Sequence, residues 1–235
     1  MSIGNSFRVR GLGGTIQLAL LHLFNFKRTP GHILSRMLDL KRYDREHNIE
    51  TAGLIETDQL NVDSDSKQHG IRYRGATPWL MRDTLDRLPI DHRRYTFIDI
   101  GSGKGAALFQ ASDYPFRRII GVEYAPELHE AALRNIASFR SKTRRCHDIS
   151  GVCGDGGDYS FPEGPWVLFF NSPFGVPIWE RVVANIQQSP KVAGLNYLIF
   201  MNYGWVPEAA DYVQRLEFLH LIHRGDTVLI FEFAS

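Results

Sequence analysis

From residue 96 onwards, short apolar segments alternate with helical ones, and this alternation limits the fold more than any other feature of the chain. The predicted strands are Thr96–Ile100, Arg118–Glu123, Ile149–Cys153, Trp166–Phe170, Asn196–Asn202, Glu217–His223 and Thr227–Phe233, and the predicted helices among them are Gly105–Ser112, Pro126–Phe139, Pro177–Gln188 and Pro207–Leu216. Parallel strands of one sheet need a long crossover between them, which is usually a helix. The order therefore predicts a doubly wound, mostly parallel, seven-stranded α/β sheet.

The last two predicted strands are separated only by the segment Arg224–Asp226. A connection of this length cannot form a crossover, so the two strands can pair only in antiparallel fashion. The sheet is therefore expected to end in one antiparallel hairpin.

The first 70 residues lack this alternation. They contain two helix-like segments, Gly14–Phe26 and Ile33–Asp44, followed by the polar stretch Asn61–Lys67. A chain of 235 residues fits one elaborated domain better than two. We therefore predict an N-terminal helical extension, residues 1–70, and one main domain, residues 71–235.

Composition gives no support for a nucleic-acid-binding, disulfide-bonded or zinc-binding protein. Lys and Arg number 27 against 26 Asp and Glu, and a net charge of +1 produces no global field that attracts phosphates. Two cysteines cannot build a disulfide framework, and the Cys and His spacing is not typical of zinc ligands, so no metal is expected. The apolar stretch Ile16–Phe26 is too short to span a bilayer. These features favour a cytoplasmic location.

A glycine-rich loop follows the first predicted strand of the sheet directly and leads into a helix. It contains Gly101, Gly103 and Gly105, with Asp99 two residues before the first glycine. Glycine tolerates positive φ and has no Cβ, so a ligand can lie against the backbone. The free N–H groups of the following helix can face a carboxylate or a phosphate. The spacing G-x-G-x-G differs from the G-x-G-x-x-G that is expected for a dinucleotide pyrophosphate.

The segment Asp99–Gly105 resembles motif I of the class I S-adenosylmethionine-dependent methyltransferases. By that resemblance, the loop backbone, with Ser102 in it, would hold the methionine part of S-adenosyl-L-methionine, and Asp99 would orient the loop. Members of this family close their sheet with one antiparallel hairpin, whereas dinucleotide dehydrogenases usually keep a parallel sheet. A glycine-rich turn with an incidental aspartate is the alternative interpretation.

Two further acids lie at or just after the next predicted strands. Glu123 ends the second strand, where a carboxylate can accept both ribose hydroxyls of a nucleoside. Asp155 and Gly156 follow the third strand, and in the methyltransferase family this acid accepts the adenine amino group while the next N–H meets a ring nitrogen. Glu123 alone would also suit NAD, and Asp158 is the alternative to Asp155.

The segment Asn171–Phe174 follows the fourth predicted strand. It resembles the Asn/Asp-Pro-Pro-Tyr/Phe motif of amino methyltransferases, from which it departs by Ser172 in place of the first proline. The resemblance implies that the Asn171 amide oxygen and a backbone carbonyl of this segment, which includes Pro173, accept hydrogen bonds from the target amine, and that Phe174 packs on the substrate. Such an arrangement accelerates a reaction by positioning. A loop in which Asn and Pro only turn the chain is an equal alternative.

The segment Tyr73–Trp79 precedes the first strand of the sheet. Its Tyr73 and Thr77 resemble the Tyr-x-x-x-Thr-Pro segment of bacterial methyltransferases of uncertain substrate and of some protein-lysine methyltransferases, where it covers the cofactor. An aromatic face is attracted to a cation such as a sulfonium. Thr77 can also cap the helix that Pro78 begins, while Trp79 is as well suited to core packing.

Together these features predict an S-adenosylmethionine-dependent methyltransferase that N-methylates an amine acceptor such as a protein lysine. The acceptor can also be a small molecule methylated on oxygen or nitrogen. A lysine would have to arrive deprotonated, and Tyr203 is a candidate base. A non-catalytic cofactor-binding subunit and an NAD-dependent oxidoreductase are the other two hypotheses.

Overall fold

The computed structural model describes residues 30–60, 68–189 and 194–234, and a seven-stranded sheet organises this part of the chain. The strands are β1 (Leu54–Ile55), β2 (Tyr73–Arg74), β3 (Thr96–Ile100), β4 (Arg118–Glu123), β5 (Ile149–Cys153), β6 (Trp166–Phe170), β7 (Leu195–Met201), β8 (His220–Arg224) and β9 (Val228–Ala234). The sheet order is β5-β4-β3-β6-β7-β9-β8. Only β9 runs against its neighbours, so the predicted mostly parallel sheet with a terminal antiparallel hairpin is confirmed.

Six α-helices fall within the described residues, and they are α1 (Pro30–His47), α2 (Pro78–Leu85), α3 (Ala106–Ala111), α4 (Pro126–Ser138), α5 (Val176–Gln188) and α6 (Pro207–Gln214). The helices predicted between the strands are all present, with ends that differ by at most two residues. Proline stands in the first turn of α2, α4, α5 and α6, where its missing N–H is no loss. Among the described residues, no helix is both long and apolar enough to cross a membrane.

Successive residues of the central strands build two different cores. In β3 every residue is buried, and Phe97 packs in one core while Ile98 packs in the other. The first core also takes apolar side chains of α2 and α3, and the second takes those of α5 and α6. Strands that are covered on both faces consist mainly of apolar residues. This composition is why β3 and β6 could be predicted as strands from the sequence.

Three details of the sequence interpretation are wrong. The strand predicted to begin at Glu217 begins at His220, because the preceding residues turn and the Leu219 N–H donates to the Leu216 carbonyl at 3.0 Å. Thr77 stands at the N-cap of α2, but its side chain makes no capping hydrogen bond. Trp79, the residue after Pro78, is 53% exposed and so does not pack in the core.

The N-terminal region is described only in part. The predicted helix Gly14–Phe26 and the polar stretch Asn61–Lys67 lie outside the described residues, whereas Ile33–Asp44 falls within α1. The chain comprises two compact units, 1–39 and 40–235, and the second contains all the strands that the structure describes. The division at residue 70 stays a prediction.

The short antiparallel pair β1 and β2 was not predicted. Leu54 pairs with Arg74 and Ile55 with Tyr73. A strand of two residues carries no periodic signal, so the segment Tyr73–Arg74 was read only as residues ahead of the sheet.

Candidate functional site

A cleft lies at the carboxyl ends of β3, β4, β5 and β6, where open α/β sheets commonly bind ligands. Its empty volume, including its opening to solvent, is about 680 Å³, which falls in the range of small-molecule sites. Eight of the predicted site residues line it, namely Tyr73, Gly101, Glu123, Asp155, Gly156, Asn171, Pro173 and Phe174. The other five, Asp99, Ser102, Gly103, Gly105 and Thr77, are not among the described residues that line it.

The glycine loop turns sharply at the end of β3. Gly101, Gly103 and Gly105 have φ values of +82°, +54° and +89°, and residues other than glycine rarely adopt such values. A Cβ on Gly101 would lie 2.4 Å from the Pro173 Cβ, and a Cβ on Gly103 would overlap the Tyr73 ring. The loop therefore requires glycine both for its backbone conformation and for the close approach of its neighbours.

Glu123 ends β4 and is held from both sides by backbone donors. The Gly103 N–H donates to its Oε2 at 2.7 Å, and the Ala125 N–H donates to its Oε1 at 2.9 Å. The residue is only 3% exposed, and burial raises the pKa of Glu123 to about 7 although these hydrogen bonds lower it. Each carboxylate oxygen has two lone pairs, so Glu123 keeps the capacity to accept from a ligand.

Asp99 lies within β3 and is 2% exposed. Its Oδ1 atom is buried and has no hydrogen-bond partner among the described residues. Burial, and after it the nearby Glu123 carboxylate, raise the pKa of Asp99 well above its ordinary value. Burial therefore favours the neutral form of Asp99, and the residue is not an exposed carboxylate of the kind that binds a cation.

Asp155 caps the 3-10 turn Gly156–Asp158 that follows β5. Its Oδ1 accepts the Gly157 N–H at 2.8 Å, and its Oδ2 accepts the Arg181 Nη1 at 3.2 Å. Gly156 packs tightly, since a Cβ there would lie 2.4 Å from the Ile100 Cγ2. The structure thus brings the acid and the following glycine to the cleft wall with the carboxylate already oriented.

The acceptor loop, residues Asn171–Gly175, begins with an asparagine whose amide is engaged at both ends. Its Nδ2 donates to the Arg74 carbonyl at 3.0 Å, and its Oδ1 accepts the Asn202 Nδ2 at 2.6 Å. Ser172 has a φ of +50°, which proline cannot adopt because its ring holds φ near −65°. The loop therefore differs in conformation from one that carries proline at this place.

The segment His69–Arg74 is hydrogen-bonded to the acceptor loop, and its residues 70–74 line the cleft. The Ile71 N–H donates to the Pro173 carbonyl at 3.0 Å, and the Gly175 N–H donates to the His69 carbonyl at 2.9 Å. The Pro173 carbonyl, one of the backbone carbonyls of the predicted substrate loop, is therefore hydrogen-bonded within the chain.

Phe174 and Tyr73 are mostly buried at the edges of the cleft. The Phe174 ring packs 5.4 Å from the Trp179 ring, with centroids compared, so most of its surface lies in the core. The Tyr73 ring lies against Gly103, and its hydroxyl donates to the Thr51 carbonyl. Each residue therefore presents only part of its ring to the cleft.

The sequence analysis missed several residues of this site. Tyr124 lines the cleft with a buried hydroxyl that has no partner in the described part of the chain, and burial raises its pKa to about 12. Arg74 also lines it, with its guanidinium over the Trp205 ring. The position of Tyr124, next to an acid at a strand end, was the one available signal. Tyr203 does not line the cleft, and its hydroxyl donates to the Gly225 carbonyl at 3.1 Å.

No protein-family model and no curated protein matches the chain. Among solved structures, the glycopeptide N-methyltransferase MtfA, complexed with S-adenosyl-L-homocysteine, is 12% identical, with 69% of this chain and 91% of that chain covered and a TM-score of 0.52. The geranyl diphosphate C-methyltransferase of Streptomyces coelicolor A3(2), complexed with Mg²⁺, geranyl diphosphate and S-adenosyl-L-homocysteine, is 12% identical, with 67% and 78% covered and a TM-score of 0.50. The chain has the class I methyltransferase fold.

Proposed function

We propose that this chain is an S-adenosyl-L-methionine-dependent methyltransferase that binds its cofactor in the cleft at the carboxyl edge of the sheet. The observation that carries the proposal is the meeting of Gly101, Glu123 and Asp155 at one cleft. They come from the ends of three neighbouring strands, which lie about 4.8 Å apart in a sheet, so the contacts extend over about 10 Å. That span is comparable with the length of a nucleoside.

The chemistry of the cleft fits such a cofactor. Glu123 can accept two ribose hydroxyls, Asp155 can accept an amino group, and apolar residues such as Ile100 and Ile178 can enclose a planar base. The cofactor supplies an activated methyl group, and the protein contributes alignment and the exclusion of water. In this proposal Asp99, two residues before Gly101, orients the glycine loop.

The acceptor in our proposal is an amine, such as a protein lysine, brought to the loop Asn171–Phe174. A small-molecule nitrogen or oxygen acceptor is the alternative within the same reaction. The amide oxygen of Asn171 has a second lone pair beside the one used by Asn202, so it can still accept from an amine. Tyr203 is less suited to act as a base, because it lies outside the cleft lining.

One observation favours a second candidate, a non-catalytic cofactor-binding subunit. Two acceptors of the loop Asn171–Phe174, the Asn171 amide oxygen and the Pro173 carbonyl, already accept hydrogen bonds within the chain. Replacing Asn171 by Ala discriminates the two: a catalytic loop loses methyl transfer, whereas a subunit changes only in partner affinity.

Two measurements test the proposal. Calorimetric titration with S-adenosyl-L-methionine and with NAD should show binding of the first only, and NAD binding alone would refute the assignment. Incubation with radiolabelled methyl donor and a cell extract, separated into protein, nucleic-acid and small-molecule fractions, should label the protein fraction. Label confined to the small-molecule fraction would exclude protein lysine.

A further inference from the structure

Arg181, on α5, forms ion pairs with two carboxylates beside the cleft. Its Nη1 lies 3.2 Å from the Asp155 Oδ2, and its Nη2 pairs with the Asp158 Oδ1 at 2.5 Å. Asp155 precedes the short turn Gly156–Asp158 and Asp158 is its last residue, so one guanidinium neutralises both ends of the turn. The planar fork of Arg suits such a two-carboxylate contact better than the point charge of Lys.

The turn is shaped to receive this guanidinium. A Cβ on Gly157 would lie 2.8 Å from the Arg181 Cζ, so the side chain passes directly over the glycine backbone. The Gly157 carbonyl also accepts the Asn185 Nδ2, one turn further along α5. The turn that carries Asp155 is therefore fastened to α5, which follows the acceptor loop in the chain.

Asp155 is held at both oxygens but remains at the cleft wall. Its Oδ1 accepts the Gly157 N–H, its Oδ2 accepts Arg181, and its side chain is 17% exposed. Two anchors of this kind fix the carboxylate plane, whereas a single anchor leaves rotation about χ2 broad. A carboxylate in one orientation recognises one pattern of ligand donors.

We propose that Arg181 is a positioning residue that orients the Asp155 carboxylate towards the amino group of a bound purine nucleoside, so that the site selects 6-aminopurine over 6-oxopurine ligands. This inference rests on the proposed function. An ionised carboxylate only accepts hydrogen bonds, so an amino group pairs with it whereas a carbonyl oxygen is repelled. Without Arg181 the two carboxylates repel each other, and Asp155 turns away from its binding orientation.

Calorimetry with two probes tests this. S-adenosyl-L-homocysteine carries the purine amino group, and S-inosyl-L-homocysteine carries a carbonyl in its place. The native chain should bind the first about 10- to 100-fold more tightly, because a wrong partner leaves a buried acceptor facing another acceptor. Arg181→Met and Arg181→Gln should each reduce this ratio by about tenfold. Asp158→Asn, which keeps the contact between Arg181 and Asp155, is the matched control and should retain the native ratio.

The affinity ratio separates positioning from a merely structural role. If both arginine variants weaken the two ligands by the same factor, or leave both unchanged, the ratio stays native and the inference is overturned. A separate variant, Asp155→Asn, tests whether the Asp155 carboxylate selects the purine amino group. The asparagine amide can present either its oxygen or its nitrogen to the base, so the preference should be abolished. Failure of the native chain to bind S-adenosyl-L-homocysteine would instead overturn the proposed function, whereas a native ratio in Asp155→Asn would overturn the inference, because Asp155 would then not recognise the base. Thermal unfolding of each variant checks that the chain is folded.

Discussion

The two loops that border the cleft obtain their shapes in different ways. The glycine loop, residues 101–105, relies on three glycines at positive φ, so its own backbone sets its course. The acceptor loop also contains a positive φ, at Ser172, but side chains hold it: the Ser172 Oγ donates to the Met201 and Asn202 carbonyls at 2.9 and 2.8 Å. A shape set by glycine is local, whereas a shape set by side-chain hydrogen bonds depends on remote partners.

The substitution Ser172→Pro should have the largest effect. It restores the proline of the motif that the loop resembles, but proline cannot reach a φ of +50° and lacks the hydroxyl. We expect a loss of about 4 kcal/mol in the free energy of unfolding, measured with urea. Ser172→Gly keeps the backbone conformation and should lose only about 1 kcal/mol. Equal stability of the two variants would mean that the loop conformation is not what requires a non-proline residue.

Gly103→Ala tests the other side of the comparison. The new Cβ would overlap the Tyr73 ring at a φ of +54°, so we expect a loss of about 2–4 kcal/mol in urea unfolding. The matched control is Gly154→Ala, because a Cβ there meets no atom within 4 Å. The control should stay within about 0.5 kcal/mol of the native chain. If both variants were equally stable, the glycine loop would not be sterically constrained.

Glu123 makes the cofactor side sensitive to pH. Its folded-state pKa, about 7, is raised above the ordinary value of 4.5, so its contribution to stability is full below pH 4.5 and is lost as pH rises through 7. The loss is on the order of 3 kcal/mol. Glu123→Gln should remove it, so the stability difference between native and variant chains should change over this pH range.

Ligand affinity should change with pH in the opposite direction to stability. Ligand hydroxyls that donate to Glu123 favour the carboxylate, so S-adenosyl-L-homocysteine affinity should rise as pH increases from 6 to 8. Calorimetry in buffers of different ionisation enthalpy should detect proton release on binding. An affinity independent of pH would show that Glu123 does not contact the ligand.

The smallest effect is expected at Asn202, on the acceptor side. Asn202 adopts a φ of +56°, a value that Asp and Gly also tolerate, and its Nδ2 donates to the Asn171 Oδ1. Asn202→Asp places two acceptors face to face and should lose about 1–2 kcal/mol in urea unfolding, more than Asn202→Gly. If Asn202→Gly were the less stable of the two, the side chain of Asn202 would stabilise the fold mainly by filling space and not by donating its hydrogen bond.

Much of the cofactor side was predictable because its signals are contiguous in the chain. The segment Asp99–Gly105 contains strand, turn and helix start together, and Glu123 ends a fully apolar run. The order of apolar segments and the short link Arg224–Asp226 were enough to predict the parallel sheet and its terminal hairpin, because crossover length limits strand direction. The roles of these residues stay predictions until a ligand is bound.

The residues of the acceptor loop were predicted, but their hydrogen bonds could not be, because these join distant residues. Asn171 meets the Arg74 carbonyl across 97 residues of chain and Asn202 across 31, and no local pattern encodes either pairing. The same holds for Arg181 and Asp155, which are 26 residues apart. The sequence by itself determined the succession of strands and helices and the glycine turn, since apolar period and positive φ are local properties. Only the tertiary structure decided which hydrogen-bonding groups were already used, because that depends on which strand ends meet in space.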